Sequence, residues 1–284
     1  MARTPADPFL GATAIVTGGA SGIGKALTAA LLERGAAVTV ADIDEAALEQ
    51  VDRELGPGAG ERLSTRRLDV TDLGAFEQLV EEVAEERVHL DYLFNNAGIA
   101  VAGDAARLTP AHWDRVLAVN LKGVVNGVLA AYPRMVRQGA GHLVNTASLA
   151  GLVPSPTLTP YAMTKHAVVG LSVSLRAEAA AYGVKVTAVC PGFVDTPLLD
   201  RVNPGLPSVG GRQPGRDLLR RLPGGLYTTD RLATDVLAGV ARNRPLVVAP
   251  ASARAAWWAW RATPRGWLGA AALGTRRVLR ELAG

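Results

Sequence analysis

Short apolar runs alternate with longer amphipathic segments along the first two-thirds of this chain, and no other feature constrains its fold as strongly. Such alternation is typical of a parallel sheet covered by helices on both faces, because parallel strands need crossover connections that lie against the sheet. The candidate strands occupy residues 13–18, 37–42, 67–70, 90–96, 142–148, 184–190 and 245–250.

The segments between these runs have helical periodicity. In residues 72–86, for example, Phe76, Leu79, Val80 and Val83 recur on one face of a helix. We therefore predict an α/β fold with a doubly wound, Rossmann-like parallel sheet, built as a single domain over residues 1–250.

Charge is distributed unevenly between this domain and the rest of the chain. The formal net charge is +4, but residues 251–284 contain six arginines and only Glu281 as a carboxylate, so this tail carries +5 and the remainder −1. The basic character therefore belongs to the tail, and it does not indicate a domain that binds nucleic acid.

The tail, residues 251–284, also contains four of the five tryptophans of the chain, at positions 257, 258, 260 and 267. Three interpretations are open: contact with a neighbouring subunit or the substrate entrance, contact with a membrane surface, and packing on its own domain. Tryptophans beside arginines are typical of an interfacial amphipathic helix, although Pro264, Gly266 and Gly269 interrupt the pattern.

Three observations bear on the cellular compartment. Cys190 is the only cysteine, so an internal disulfide is impossible, and the first residues lack the apolar run of a secretory signal. No stretch of about 20 uncharged apolar residues occurs either, which speaks against a membrane span. We therefore expect a cytoplasmic protein.

Residues 198–227 break the alternation, because they are rich in proline, glycine and arginine. Long loops in compact domains often cover binding sites, so we predict a substrate loop here. A surface insertion without a role is the alternative.

A glycine-rich turn follows the first candidate strand. In TGGASGIG, residues 17–24, glycines 18, 22 and 24 would let the backbone approach a phosphate, and the following helix would offer the positive end of its dipole. A tight strand–helix turn without a ligand is the alternative.

Asp42 ends the second candidate strand, 18 residues after Gly24. A carboxylate at this position accepts hydrogen bonds from the hydroxyls of an adenosine ribose and repels a 2′-phosphate. At about 4 Å and an effective dielectric constant of about 20, that repulsion amounts to roughly 4 kcal/mol. No basic residue adjoins Asp42, so we predict NAD rather than NADP as the cofactor.

Further motifs follow in order along the chain: LDV at 68–70, NNAG at 95–98, VNLKG at 119–123, NTAS at 145–148, YAMTK at 161–165 and PGFVDTP at 191–197. Together with the glycine-rich turn, this series resembles the short-chain dehydrogenase/reductase family in its compact single-domain branch. The resemblance extends from about Leu10 to about Pro250.

The resemblance implies a catalytic tetrad of Asn120, Ser148, Tyr161 and Lys165. It also implies a cofactor site made by the glycine-rich turn, the strand ends, the tetrad and the segment after the sixth strand. The residues of that site are Gly18, Ser21, Gly22, Ile23, Gly24, Asp42, Asp69, Val70, Asn96, Ala97, Gly98, Tyr161, Lys165, Pro191, Gly192, Val194 and Thr196. No metal is expected, and the family resemblance implies a homodimer or homotetramer.

The spacing of Tyr161 and Lys165 suits this chemistry, because residues four apart share one helix face. The ammonium group, together with the positive ring of NAD⁺, is expected to lower the phenol pKa by about 3 units and so make Tyr161 a general base near neutral pH. Ser148 would orient the reacting oxygen, and Asn120 would anchor a water relay behind Lys165. An exposed tyrosine–lysine pair is the alternative.

The sequence therefore predicts an NAD-dependent short-chain alcohol dehydrogenase, an oxidoreductase acting on CH–OH groups. Because the loop and tail offer Leu, Val, Pro and Trp, we expect a lipophilic secondary alcohol of terpenoid, steroid or polyketide type, as in secondary metabolism, that is oxidised to a ketone. The alternatives are an NADP-dependent ketone reductase and a non-catalytic protein that senses nucleotides or associates with membranes.

Overall fold

The computed structural model describes residues 7–207, 209 and 225–283, with side chains up to Arg276. Most of the predicted substrate loop, residues 208 and 210–224, lies outside the described residues. The strands are β1 (Thr13–Thr17), β2 (Ala37–Asp42), β3 (Leu63–Arg67), β4 (Tyr92–Asn95), β5 (Gly141–Thr146), β6 (Val184–Pro191) and β7 (Leu246–Ala249). The helices are α1 (Gly22–Glu33), α2 (Glu45–Ala59), α3 (Leu73–Arg87), α4 (Pro110–Val116), α5 (Gly123–Gln138), α6 (Thr159–Ala179), α7 (Thr229–Ala241), α8 (Ala251–Ala262) and α9 (Pro264–Ala283).

The seven strands form one parallel sheet in the order β3-β2-β1-β4-β5-β6-β7. β1 pairs with β2 from Thr13 opposite Ala37, and with β4 from Ala14 opposite Tyr92. The strand order reverses between β1 and β4, so the connections that leave these two strands diverge to opposite faces and open a crevice at the carboxyl edge. The predicted doubly wound parallel fold is confirmed.

Helices cover both faces of the sheet. On one face α1, α2 and α7 bury the side chains of Leu27, Leu31, Val51, Leu232 and Val236. On the other face α3, α5 and α6 pack around Phe76, Leu79, Val83, Met135 and Leu175. The helix predicted over residues 72–86 is α3, and the four apolar side chains named for it are all buried.

One predicted strand is displaced from its position. The third strand is Leu63–Arg67, whereas the sequence predicted residues 67–70. β3 is an edge strand, so its polar residues stay partly exposed and it lacks the apolar run that marks the inner strands. Leu68 and Val70 are buried because the chain crosses the end of the sheet there, with Leu68 N donating to Asp42 O at 2.9 Å.

A continuous helical run from Pro110 to Gln138 joins α4 to α5 through a π-helical turn, Leu117–Lys122. Within the described residues it is the one helix whose length and mean hydropathy would suit a membrane crossing. Half of the apolar window is buried inside the fold, and α5 packs on α3 and on the sheet, as core helices of soluble proteins also do.

The C-terminal tail consists of the two helices α8 and α9. α8 follows β7 directly and buries Ala253, while Trp257 packs partly against the cluster that contains Cys190 and Val248. α9 continues after Thr263, and its main contacts are with α8.

His142 is a buried imidazole near the start of β5, far from the carboxyl edge. Its Nε2 lies 2.8 Å from Thr187 Oγ1, and that hydroxyl donates to Arg244 O at 2.7 Å, so Nε2 carries the proton. Burial, assisted by the nearby cations Lys185 and Arg176, lowers the pKa of His142 to about 3.

We expect His142 to make the protein sensitive to acid. Between pH 6.5 and about 3 the unfolded chain binds a proton on His142 that the folded chain does not bind, so the free energy of unfolding falls as the pH falls. His142 contributes about 1.4 kcal/mol per pH unit to the slope of the unfolding free energy against pH. Urea unfolding of the wild type and of His142→Gln across this range measures this contribution as the difference between their slopes. His89→Gln, at an exposed position, is the control and keeps the wild-type slope. Equal slopes for all three proteins would contradict the prediction.

Candidate active site

The glycine-rich turn lies at the crevice between β1 and β4. Gly18 and Gly22 have φ angles of 61° and 50°, which residues with side chains rarely adopt. A Cβ on Gly18 would lie 2.8 Å from the Cα of Ala97, and a Cβ on Gly24 would collide with the carbonyl of Gly18. The turn therefore passes so close to the end of β4 that only glycine fits, and α1 begins at this edge.

The segment after β6 returns over the glycine-rich turn. A Cβ on Gly22 would lie 3.3 Å from the Cβ of Thr196, which is buried. Gly192 N donates to Ala249 O at 2.8 Å, and Val194 forms an isolated bridge with Tyr227. The predicted cofactor residues from Pro191, at the end of β6, to Thr196 thus form one wall of the crevice.

Two further predicted cofactor residues lie in the turn itself. Ser21 is exposed and precedes α1, and its hydroxyl makes no capping bond to the helix. Ile23 is in the first turn of α1 and packs partly against the core. The structure therefore leaves the Ser21 hydroxyl accessible beside the first N–H groups of α1.

Asp42 ends β2 beside the same turn. Its Oδ2 accepts a hydrogen bond from Ala20 N at 3.1 Å, and its Oδ1 accepts one from Asp44 N at 3.2 Å. A carboxylate accepts about four hydrogen bonds, so two positions remain for the hydroxyls of a ligand.

Asp69 and Val70 lie where the chain leaves β3. Burial acts to raise the pKa of Asp69, but hydrogen bonds from Thr71 N at 2.9 Å and Thr71 Oγ1 at 2.8 Å, with Arg115 and Arg67 nearby, hold it below the ordinary value. Val70 is buried against Gly123, where a Cβ would lie 2.7 Å from Val70 Cγ2. Asp69 and Val70 therefore form a fixed surface at the β2 side of the crevice.

Asn96 joins the ends of three strands. Its N donates to Thr17 Oγ1 at 3.0 Å and its Nδ2 to Thr17 O at 3.1 Å, while its Oδ1 accepts from Thr146 Oγ1 at 3.3 Å. The side chain is therefore committed to β1 and β5, and the backbone of Ala97 and Gly98 lines the crevice. Thr17 and Thr146 were not among the predicted site residues, although each lies at the carboxyl end of a predicted strand.

Lys165 is buried at the centre of the candidate site, with 3% of its surface exposed. Its Nζ donates to Thr146 O at 2.8 Å and lies 5.7 Å from the centroid of the Tyr161 ring. Burial lowers the pKa of Lys165 to about 8, and Cys190 opposes this shift. The alternative of an exposed tyrosine–lysine pair is therefore wrong.

The side chain of Ser148 lies beside the Tyr161 hydroxyl. Burial raises the pKa of this phenol above its ordinary value of 10, and Ser148 acts in the opposite direction. The lowered pKa predicted from the sequence combines the charges of Lys165 and of an oxidised nicotinamide ring, whereas in the folded chain by itself burial has the largest influence on the phenol pKa.

Asn120 lies in the π-helical turn and is fully buried. Its Oδ1 accepts from Ile99 N at 2.8 Å and its Nδ2 donates to Ile99 O at 2.9 Å. A Cβ on Gly98 would lie 3.3 Å from Asn120 Oδ1 and 3.5 Å from Lys165 Nζ. The structure therefore brings Asn120 and Lys165 together around the loop after β4, and π turns often occur at functional sites.

Two residues that the sequence analysis did not assign to the site hold the start of the predicted substrate loop. The side chain of Asn203 bonds both backbone groups of Ala102, at 3.0 Å and 2.9 Å. The ring of the buried His112 lies between Thr109 Oγ1, at 2.8 Å, and Pro207 O, at 3.0 Å. These contacts fix residues 203–207 against the loop after β4 and the start of α4. No local sequence pattern predicts contacts between residues so far apart in the chain.

Comparison with known proteins identifies the family. A family model described as short chain dehydrogenase matches residues 12–206. The chain belongs to the short-chain dehydrogenase family. It is accordingly an oxidoreductase with a Rossmann-like fold, and members of the family use NAD or NADP.

Two relatives illustrate the range of the family. The chain is 36% identical over 192 residues to the 3-oxoacyl-[acyl-carrier-protein] reductase FabG of Thermotoga maritima. The aligned region covers 68% of this chain and 78% of that protein. It is 37% identical over 237 residues to the probable oxidoreductase EphD of Mycobacterium tuberculosis, which covers 81% of this chain. The match covers only 40% of EphD, so this chain is similar to less than half of that larger protein.

Solved structures of short-chain dehydrogenases have the same fold. A short chain dehydrogenase/reductase of Burkholderia phymatum in complex with NAD has a TM-score of 0.81 and 31% identity, over 90% of this chain and 94% of that chain. Levodione reductase has a TM-score of 0.75 and 29% identity, over 86% of this chain and 96% of that chain.

Proposed function

We propose that the protein is an NAD-dependent alcohol dehydrogenase that oxidises a lipophilic secondary alcohol to a ketone, with Tyr161 as the general base. One observation carries the proposal. The phenol of Tyr161 lies beside Ser148, and the buried ammonium of Lys165 lies 5.7 Å from the centroid of the Tyr161 ring, at the carboxyl edge of the sheet.

The crevice has the features that a nicotinamide dinucleotide needs. Gly18, Gly22 and Gly24 would let the pyrophosphate approach the N-terminus of α1, and Asp42 would accept bonds from the ribose hydroxyls. Asp69 and Val70 would flank the adenine, and residues 191–196 would contact the nicotinamide end, with Thr196 near the carboxamide. When bound, the oxidised nicotinamide supplies the hydride acceptor.

The residues of the tetrad have separate tasks. Ser148 donates a hydrogen bond to the substrate oxygen and orients the carbon that loses hydride. Tyr161 removes the hydroxyl proton as the C–H bond breaks and the C=O bond forms, and in ketone reduction it returns that proton. Lys165 supplies positive charge, and Asn120, which bonds both backbone groups of Ile99, would anchor a water relay behind Lys165.

The protonation state of Tyr161 is the demanding part of this mechanism. Burial raises the pKa of the Tyr161 phenol. Tyr161 can therefore act as a base at neutral pH only if nearby positive charge lowers this pKa by more than burial raises it. A Lys165 pKa of about 8 leaves the ammonium form predominant at pH 7, and the oxidised nicotinamide ring adds a second positive charge.

The segment after β6 supports a lipophilic substrate. Phe193 is exposed at the nicotinamide end of the crevice, and four half-buried apolar side chains follow it along the chain. They are Leu198, Leu199, Val202 and Leu206. A hydrocarbon skeleton of terpenoid, steroid or polyketide type would bury this apolar surface.

The surface of the long helices supports a homo-oligomer. Leu129 on α5 and Val173 on α6 are close to half exposed, and a subunit contact through these helices would remove both side chains from water. We propose a cytoplasmic homodimer or homotetramer, and the mass of the purified protein measured by light scattering decides between these states and a monomer.

The identity of the cofactor is tested by binding. NADH is expected to bind at least about tenfold more tightly than NADPH, because Asp42 repels the 2′-phosphate. Asp42→Ala should remove most of this preference, whereas Asp52→Ala, which removes an exposed carboxylate from α2, should keep it. Fluorescence titration measures both affinities, and tighter binding of NADPH by the wild type would refute the assignment of Asp42.

An NADP-dependent ketone reductase is the second candidate, because the 36% identical relative from Thermotoga maritima is a reductase. Two turnover assays separate the dehydrogenase from the reductase. One uses a panel of hydrophobic secondary alcohols with NAD⁺, and the other uses the matching ketones with NADPH. NAD binding without turnover of any alcohol or ketone would instead favour the non-catalytic alternative.

A further inference from the structure

The two tail helices, α8 and α9, carry a basic surface that takes no part in the proposed catalysis. Residues 251–284 have a net charge of +5, and the rest of the chain has −1. Arg261, Arg265 and Arg276 are exposed, and none of them forms an ion pair within the part of the chain that the structure describes. The surface therefore offers unneutralised positive charge.

Aromatic and aliphatic side chains lie among these arginines. Trp258 on α8 is 60% exposed, and the guanidinium of Arg261 lies 5.5 Å from the ring centroid of Trp257 and 5.6 Å from that of Trp258. Tryptophan and arginine together are typical of the membrane–water interface, where the ring enters the headgroup region and the guanidinium reaches phosphate.

α9 has two different sides. Trp267, Ala271 and Thr275 are half-buried and follow one another at intervals of four, so they share the inner side of the helix. The outer side carries Arg265, Leu273 and Arg276, all exposed, with Leu273 at 69%. With 20 residues, the helix is about 30 Å long, and between Arg265 and Arg276 its outer side carries both leucine and arginine.

We propose that α8 and α9 dock the enzyme on an anionic lipid surface. The arginines would contact phosphate headgroups, while Trp258, Leu268 and Leu273 would enter the boundary of the acyl chains. The main body is nearly neutral, so it offers little complementary charge to a tail of +5 in a second copy of the chain. The observations therefore favour lipid over a subunit contact.

Vesicle binding of the full-length protein tests this proposal. Co-sedimentation with phosphatidylcholine vesicles that contain about one third phosphatidylglycerol is expected, with much weaker binding to pure phosphatidylcholine and release by added salt. Arg265→Glu/Arg276→Glu should weaken binding more than about 25-fold, since each arginine near such a surface contributes about fivefold. Trp258→Ala should weaken binding without a change of charge.

The matched control is Arg53→Glu/Arg242→Glu, which makes the same change of charge at exposed positions of the main body. It should bind vesicles like the wild type, and all variants should keep the wild-type thermal unfolding temperature. Absent binding to anionic vesicles, or equal loss in both double variants, would overturn the proposal. A lower oligomer mass of Arg265→Glu/Arg276→Glu without vesicles would assign the surface to a second copy instead. Turnover of a water-soluble alcohol, measured in parallel, tests the catalytic proposal separately.

Discussion

Tyr161→Phe is expected to lower kcat by between about 10² and 10⁴, the range that a positioned general base supplies, while the affinity for NADH changes little. The substitution removes only the hydroxyl beside Ser148 and leaves the ring beside Lys165. Steady-state oxidation of the best alcohol substrate, with a separate cofactor titration, measures the two effects.

Tyr182→Phe is the control for this experiment, because Tyr182 is 52% exposed and lies in the short 3-10 turn after α6, away from the crevice. It should retain the wild-type kcat. A loss smaller than about tenfold in Tyr161→Phe would mean that another group takes the proton, and the mechanism proposed for the tetrad would be abandoned.

Lys165→Met is expected to lower kcat at least about a hundredfold, because it removes the positive charge that favours the phenolate but keeps the apolar stem of the side chain.

The same substitution should change the pH dependence of stability. With a pKa of about 8 in the folded chain and 10.5 ordinarily, Lys165 is protonated in the unfolded chain and largely neutral in the folded chain between these values. The stability of the wild type should therefore rise with pH in this window, relative to Lys165→Met, by about 1.4 kcal/mol per pH unit.

Urea unfolding between pH 8 and 10.5 measures this difference in slope. Lys185→Met is the control, because Lys185 is exposed on β6 and distant from the crevice, and it should preserve both kcat and the alkaline slope. Parallel curves for the wild type and Lys165→Met would show that Lys165 keeps its proton in the fold, which would contradict the buried environment described above.

Local patterns were sufficient for most of the secondary structure. α3 follows from the spacing of four apolar residues, and six of the seven strands lie within two residues of their predicted bounds. The bounds predicted for β3 were wrong because an edge strand does not need an apolar run. The buried Leu68 and Val70, which follow the strand, gave residues 67–70 the apolar pattern of a strand.

The candidate site was predictable where its residues are neighbours in the chain. The glycine-rich turn and the Tyr161–Lys165 pair are both local features, and the structure places them at the same edge of the sheet. The residues that hold the loop after β4 could not be found in this way. Asn203 reaches Ala102 from 101 residues away, and His112 reaches Pro207 over 95 residues.

The amino-acid sequence by itself determined the alternation of strands and helices, the glycines that permit positive φ angles, and the presence of a phenol and an ammonium on one helix face. Only the tertiary structure decided the direction in which the pKa of each group shifts. Burial of Lys165 lowers its pKa to about 8, and burial raises the pKa of Tyr161, because the cost of placing charge in a packed interior depends on every residue that surrounds it. Sequence spacing does not contain that information.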